Sequence, residues 1–184
     1  LRAAYGGYFG HMWELYVFWA WVGAAATASY SAAGHGDPVS LGKLTAFLAI
    51  AAGAPACVLA GRLADRIGKA RVAAGAMWAS GALGLATAAS FGGPAALLML
   101  LFILWGVAVI PDSAQFSALV ADNAPPELAG SLLTLQTALG FGLTIVTVQL
   151  APLVAAALGW PVLLALLALG PVFGILSLRP LMRR

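Results

Sequence analysis

The fold is decided by the stretch GRLADRIGKAR, residues Gly61–Arg71, which gathers four cations and one anion. Only 8% of the 184 residues are charged, and long apolar runs lie on both sides of this stretch. A short basic loop between two such runs is typical of the cytoplasmic side of a membrane protein. The rest of the chain can be oriented from it.

The composition excludes a soluble globular protein. Hydrophobic residues make up 62% of the chain, and too few charged residues remain to cover them in water. The net charge of +3 does not indicate nucleic-acid binding, because the cations lie at the ends of apolar segments and form no basic face. Cys57 is the single cysteine, so we expect a small buried hydrophobe and no disulfide framework. The chain is therefore interpreted as an integral membrane protein.

Six segments are apolar and long enough to cross about 30 Å of hydrocarbon as helices. They are residues 8–28, 41–60, 72–90, 96–120, 128–158 and 161–178. Strands of a β-barrel would alternate in units of about ten residues, and these runs do not alternate. We therefore predict an all-α membrane protein with six transmembrane helices.

Glycine and proline positions predict how these helices pack and bend. Pairs of small residues four apart can let two helix backbones approach closely, and they occur at Gly6 and Gly10, Ala138 and Gly142, and Gly170 and Gly174. Prolines inside the predicted helices are expected to bend them, and they occur at Pro55, Pro111 and Pro152.

Basic residues collect on one side of the six predicted helices. Eight of them fall on the side of the basic stretch: Arg2, Arg62, Arg66, Lys69, Arg71, Arg179, Arg183 and Arg184. Lys43 alone falls on the other side. By the positive-inside rule, both ends of this segment are predicted to be cytoplasmic in a multi-pass protein of a cell membrane, most simply a bacterial inner membrane.

The basic stretch closely resembles the cytoplasmic signature of the major facilitator superfamily, which follows the second helix of each six-helix half. The agreement rests on six positions: Gly61, Asp65, Arg66, Gly68, Lys69 and Arg71. The resemblance implies a half bundle of 3+3 inverted repeats spanning residues 1–184. The fourth predicted helix has no arginine and the chain ends in an arginine pair, which resembles a carboxy-terminal half, so an amino-terminal half is expected before Leu1.

The resemblance also implies that these six positions form a conformational latch. We expect Gly61 and Gly68 to make tight turns, and Asp65 to accept hydrogen bonds from Arg66 or from free amides at a helix start. An ordinary positive-inside loop is the competing interpretation.

Three ionisable side chains fall inside the predicted helices: His11, Glu14 and Asp112. Each costs roughly 2.5–3.5 kcal/mol to place in a bilayer, so each indicates a functional site. His11 and Glu14 share a helix face, as do Asp112 and Gln115, because three residues separate each pair. Helical rise puts Glu14 and Asp112 at one depth of about 10 Å, with His11 and Gln115 in a shallower tier. Alternatively, His11 and Glu14 lie near the membrane surface and reach to water.

The resemblance implies secondary active transport of a small organic solute by alternating access, as a symporter or an antiporter. In such halves the first and fourth helices line the central cavity, so His11, Glu14, Asp112 and Gln115 would form the substrate or proton pathway. Crowded carboxylates suit proton exchange, with His11 as partner. The expected partners are the solute, the lipid bilayer and the second half, and not nucleic acid.

Other classes of function find less support in the sequence. No catalytic constellation or cofactor motif is recognised, and His11, Glu14 and Asp112 make only a weak metal site, so we predict neither an enzyme nor a metal centre. A Walker-type phosphate loop does not occur, so ATP-driven transport is not indicated. The rival prediction is a non-transporting membrane subunit or scaffold whose buried polar residues only join helices.

Overall fold

The computed structural model describes residues 1–183 of the chain. Eight α-helices follow one another: α1 (Arg2–Ala32), α2 (Pro38–Ile67), α3 (Lys69–Ala89), α4 (Ala95–Val109), α5 (Ser113–Asn123), α6 (Ala129–Leu158), α7 (Trp160–Leu167) and α8 (Leu169–Met182). A single 3-10 turn, Pro126–Leu128, precedes α6. No strand occurs within residues 1–183, and the predicted all-α class is confirmed.

The eight helices form six rods, because two rods are interrupted beside a proline. α4 and α5 make the fourth rod and are separated at residues 110–112. Pro111 has no amide hydrogen and cannot donate to the carbonyl four residues earlier, which opens the helix there. Pro171 has the same effect where α7 meets α8 in the sixth rod. By contrast, α2 and α6 continue through Pro55 and Pro152, so proline alone does not decide where a helix is interrupted.

The basic stretch is helical except at one residue. α2 continues to Ile67 and α3 begins at Lys69, so Gly68 makes the turn with a φ of 97° that suits glycine. The predicted turn at Gly61 is wrong: Gly61 lies inside α2, and no atom stands within 4 Å of where its Cβ would be. The sequence suggested a longer loop because charged residues usually mark loops, yet long basic side chains on a helix end can also reach water.

α1 is the central rod and contacts each of the other rods. Against α8 the two backbones touch, because a Cβ on Gly10 would stand 2.4 Å from the carbonyl oxygen of Gly170 and 2.9 Å from the Cα of Gly174. The predicted close approach at these glycines is therefore present. The pair Ala138 and Gly142 does not behave in this way, since the Cβ position of Gly142 meets open space.

Five of the six rods in the described chain are long and apolar enough to cross a membrane. The prediction of six such spans is therefore met in five, and the exception is α1, a helix of 31 residues. Its composition explains the difference, because His11, Glu14 and several Tyr and Trp residues lower its hydropathy. In α2 and α6 only 17% of the most apolar stretch is buried, compared with 44% in the other three spans. An apolar outer surface of this kind belongs to a multi-pass membrane protein.

The rods run alternately in opposite directions, which brings the basic segments to one end of the bundle. Lys69 at the start of α3 contacts Asp122 at the end of α5. The hydroxyl of Tyr5, near the start of α1, donates to the carbonyl oxygen of Leu132 near the start of α6 at 2.6 Å. At the opposite end, Ser29 accepts a hydrogen bond from the loop between α3 and α4. The start of α1 and the basic turn therefore share one end; that this end is cytoplasmic stays a prediction.

α2 begins with a capped end on the side opposite the basic turn. The backbone amide of Ser40 donates to Asp37 Oδ1 at 3.1 Å, and Pro38 occupies the first helical position, where no amide is needed. Hydrogen bonding from Ser40, through its side chain and then its backbone, holds the pKa of Asp37 below its usual value. The ionised form of this exposed carboxyl therefore stabilises the helix start.

Candidate functional site

All four side chains predicted for the pathway are buried inside the bundle. His11 is 1% exposed, Glu14 and Asp112 are 2% exposed, and Gln115 is 5% exposed. The alternative in which His11 and Glu14 reach to water at the membrane surface is therefore wrong, because protein atoms cover both. α1 contributes the first two, the interruption between α4 and α5 contributes Asp112, and α5 contributes Gln115.

His11 and Asp112 form the first part of the polar cluster. Nδ1 of His11 lies 2.9 Å from Oδ1 of Asp112, the distance of an ion pair when the imidazole is protonated. The ring is not aligned for a hydrogen bond across this contact, and Nε2 of His11 has no hydrogen-bond partner among the described residues. The rings of Tyr8 and Phe116 flank the imidazole, with centroids 6.3 Å and 5.8 Å away. The imidazole is thus held beside a carboxylate by aromatic packing, with one nitrogen free to bind a proton or a ligand.

The two predicted tiers do not describe the contacts, because His11, which was placed in the shallower tier, is the residue that contacts Asp112. The sequence estimate assumed that the fourth helix leaves the membrane near Leu119, whereas α5 continues to Asn123. α1 also begins six residues before the predicted start at residue 8. The two shifts nearly cancel, because Glu14 lies 12 residues after Arg2 and Asp112 lies 11 residues before Asn123. The contact between His11 and Asp112 is therefore set by the rotation and offset of the two helices, which counting from helix ends does not give.

Glu14 forms the second part of the cluster, with two partners that the sequence did not single out. Nε1 of Trp105 on α4 donates to Oε1 at 2.8 Å, and Oγ of Ser80 on α3 donates to Oε2 at 2.8 Å. The indole is held in place by Phe18, whose ring centroid lies 4.9 Å away, and by Gly84, where a Cβ would stand 2.9 Å from the indole. A single carboxyl group thereby joins α1, α3 and α4.

Only part of this arrangement has a signal in the sequence. A tryptophan buried in an apolar helix needs an acceptor for its N–H, and this signal could have marked Trp105 as a donor, although not which residue accepts from it. A serine such as Ser80 commonly bonds its own helix and gives no such signal. Gln136 on α6 is also buried, and neither amide atom of its side chain has a partner within residues 1–183. A glutamine in a membrane helix usually hydrogen-bonds to a neighbouring helix, so its position in the sequence does not by itself indicate a ligand site.

The six signature positions lie apart from this cluster, at the basic end of the bundle. Lys69 Nζ lies 2.5 Å from Asp122 Oδ2, which ties the turn after α2 to the end of α5. Asp65 is exposed, and its predicted bonds to Arg66 or to helix-start amides are not among the contacts of the described residues. An open cleft of about 540 Å³ lies here, lined in part by Asp65, Lys69 and Arg71. Of the six signature residues, Lys69 makes this contact with another rod, and a latch at these positions stays a prediction.

The cluster consists of groups that are able to exchange protons and hydrogen bonds. It brings two carboxyl groups, an imidazole, an indole N–H and a hydroxyl into the interior of an apolar bundle. Within residues 1–183 no three His, Cys, Asp or Glu side chains are placed to hold a metal ion. Neither a family model, nor a curated protein, nor a solved structure matches this chain.

Proposed function

We propose that this protein is one six-helix half of a facilitator-type secondary transporter that moves a small organic solute by alternating access, with proton coupling. The observation that carries the proposal is the buried set of Glu14, His11 and Asp112 in a chain with an apolar outer surface. Each such group costs roughly 2.5–3.5 kcal/mol to place in a membrane, and structural needs alone are met more cheaply by apolar packing. A pathway for protons and a polar solute accounts for all three.

The packing of the rods supports the same proposal. The first rod packs on the fifth and sixth, through α6 and through α7 and α8. The fourth rod packs in the same manner on the second and third, through α2 and α3. Apart from the close packing of the first rod on the second, which the fourth rod does not repeat on the fifth, this correspondence between rods 1–3 and 4–6 is what the 3+3 inverted repeats of the resembling family would produce. In such a half, the outward faces of α2 and α6 would meet the second half or lipid.

Within this proposal the polar side chains have distinct roles. Glu14 exchanges the proton, because its carboxyl group has two hydrogen-bond donors of different kinds. The indole N–H of Trp105 is fixed in place, and the hydroxyl of Ser80 can rotate. His11 and Asp112 bind the solute, since Nε2 of His11 and Oδ1 of Asp112 lack hydrogen-bond partners among the described residues. Gln115 lies three residues beyond Asp112 on the same face and adds an amide to that surface. Rocking of the two halves opens the cluster first to one side and then to the other, and the Lys69–Asp122 contact acts at the latch.

The proposal is tested by proton movement in liposomes. The complete protein is reconstituted with a pH-sensitive dye inside and challenged with a panel of carboxylates, sugars and amphipathic cations. We expect at least one solute to drive proton movement, and Glu14→Gln and Asp112→Asn to abolish it. Glu127→Gln removes an exposed carboxylate in the 3-10 turn before α6 and serves as the matched control, with proton movement retained. Wild-type coupling in both buried variants would contradict the assigned roles.

A non-transporting scaffold is the second candidate, and one observation favours it. Glu14 is fully hydrogen-bonded to α3 and α4, which is also what a residue that only joins helices would look like. A scaffold gives no solute or proton movement with any member of the panel at any pH.

A further inference from the structure

We propose that Ser80 is the positioning residue that lets Glu14 gain and lose a proton at Oε2 without movement of any heavier atom. This inference deepens the proposed function and rests on its proton exchange at Glu14. The geometry determines which oxygen of Glu14 carries the proton, and which atom accepts a hydrogen bond when Glu14 is ionised and when it is protonated. Nothing in the resemblance to a transporter family supplies that assignment.

The first step is that the proton cannot be held at Oε1 in this geometry. Oε1 of Glu14 accepts a hydrogen bond from Nε1 of Trp105 at 2.8 Å. An indole nitrogen is a donor only, so it offers no acceptor to a hydrogen on Oε1, and no other side chain of the described residues bonds that oxygen. Phe18 and Gly84 both pack against the indole and restrict its turning. The proton is therefore assigned to Oε2.

The second step is that the hydroxyl of Ser80 has two acceptors and one hydrogen. Its Oγ lies 2.8 Å from Oε2 of Glu14 and 3.2 Å from the backbone carbonyl oxygen of Met77. A hydroxyl donates one hydrogen bond and can accept others, and rotation about the C–O bond is free to select either acceptor. Both oxygens are already in place, so the choice requires no change in the backbone of α3.

Together these steps give two states that are each fully hydrogen-bonded. In the ionised state, Ser80 donates to the carboxylate at Oε2. When a proton arrives from water, an O–H bond forms at Oε2, this group donates to Oγ of Ser80, and the hydroxyl of Ser80 turns to donate to Met77. Release of the proton to water reverses the sequence. No bond of serine is broken, and the negative charge on Glu14 is lost or regained with the proton.

Among the titratable groups of this region, Glu14 is the one that the hydroxyl of Ser80 contacts. The titratable side chains nearest to the cluster are Asp112, whose charge acts on Glu14, and His11, which contacts Asp112; the partly buried Cys57 on α2 lies near Asp112. α6 and α7 carry no titratable residue, and those of α3 and α8 lie near the helix ends at the basic end of the bundle. Ser80 is 1% exposed and makes its side-chain bonds only to Glu14 and Met77 within the described residues.

Infrared difference spectra between acidic and alkaline pH, on the complete protein in lipid membranes, test the assignment. Glu14→Gln identifies the C=O band of protonated Glu14 by removing it. We expect Ser80→Ala to move that band to higher wavenumber, because the carboxyl hydrogen loses its acceptor, and Ser80→Thr to restore the wild-type position. Thr87→Ala is the matched control: Thr87 is buried on the same helix, and its hydroxyl bonds only to Leu83 of its own backbone. This control leaves the band unchanged.

The outcomes separate this inference from the proposed function. A Glu14 band that stays in place in Ser80→Ala overturns the role of Ser80 and leaves proton exchange at Glu14 standing. If no band disappears in Glu14→Gln at any pH, Glu14 does not take up a proton, and both the inference and the proton-exchange role fail. A band that moves equally in Thr87→Ala would mean that the shift reports general loosening of α3, which also overturns the assignment.

Discussion

Substitution of Gly10 by alanine tests whether the central helix and α8 are in backbone contact. The added Cβ would stand 2.4 Å from the carbonyl oxygen of Gly170, and 2.9 Å from both the Cα and the backbone nitrogen of Gly174. Ordinary van der Waals contact begins near 3.4 Å, so the two helices would have to separate by about 1 Å. The opposing atoms belong to the backbone, and no side-chain rotation can relieve the overlap.

The size of the effect follows from two opposing contributions. Overpacking of this kind destabilises by about 3 kcal/mol when the neighbours cannot move. Alanine in a helix interior is favoured over glycine by about 1 kcal/mol, so Gly10→Ala is expected to lose about 2 kcal/mol. Gly142→Ala is the matched control, because its Cβ meets nothing within 4 Å, and it keeps only the gain of about 1 kcal/mol. The two variants should therefore differ by about 3 kcal/mol.

The free energy of unfolding is measured in mixed micelles by titration with a denaturing detergent, with far-ultraviolet circular dichroism as the signal. We expect the transition of Gly10→Ala to occur at a lower detergent fraction than that of the wild type, and that of Gly142→Ala at an equal or higher fraction. If Gly10→Ala is as stable as Gly142→Ala, the helices are not in backbone contact, and the central position of α1 against α8 is wrong.

Three further outcomes are expected. Lys69→Ala removes the contact with Asp122 and lowers the free energy of unfolding by only about 0.5 kcal/mol, an effect that disappears in high salt, because both side chains are at least a third exposed. Trp105→Phe leaves Oε1 of Glu14 without its donor and lowers that free energy by about 2 kcal/mol or more in the same detergent titration, whereas an unchanged midpoint would contradict the bond. The pKa of Asp37 is lowered in the folded state, so its stabilising effect at the start of α2 is present above its unfolded pKa and is lost as the pH falls through the folded pKa. Asp37→Asn should abolish this loss of stability in acid, which is followed by thermal unfolding at a series of pH values.

The membrane class and the approximate positions of the rods could be predicted from the sequence. In lipid, a long apolar run satisfies its backbone hydrogen bonds only as a helix. The ends of the rods did not follow, and the basic stretch explains why. Its charges indicated a loop, but α2 and α3 carry them on exposed helix ends and leave Gly68 as the turn. The prolines also show that helix ends could not be predicted from residue type alone. Pro111 and Pro55 both lack an amide hydrogen, yet the rod is interrupted at Pro111 and continues through Pro55.

The candidate site was predicted as a set of residues but not as a set of contacts. Burial of His11, Glu14 and Asp112 could be anticipated from their place in apolar runs. Their partners could not, because contacts between helices depend on rotation and offset, which counting residues from helix ends does not give; His11, and not Glu14, forms the ion pair with Asp112. Ser80 gave no signal at all, since a serine in a helix usually bonds its own backbone.

The central place of α1 has a consequence for biosynthesis. The groups that bond its carboxylate lie 66 and 91 residues further along the chain, on α3 and α4. While α1 is the newest segment to leave the ribosome, neither group exists, and this helix is also less apolar than the five that follow. We therefore expect α1 to enter the bilayer stably only after α3 and α4 have been made, so that this helix has to be held at the membrane until its neighbours arrive.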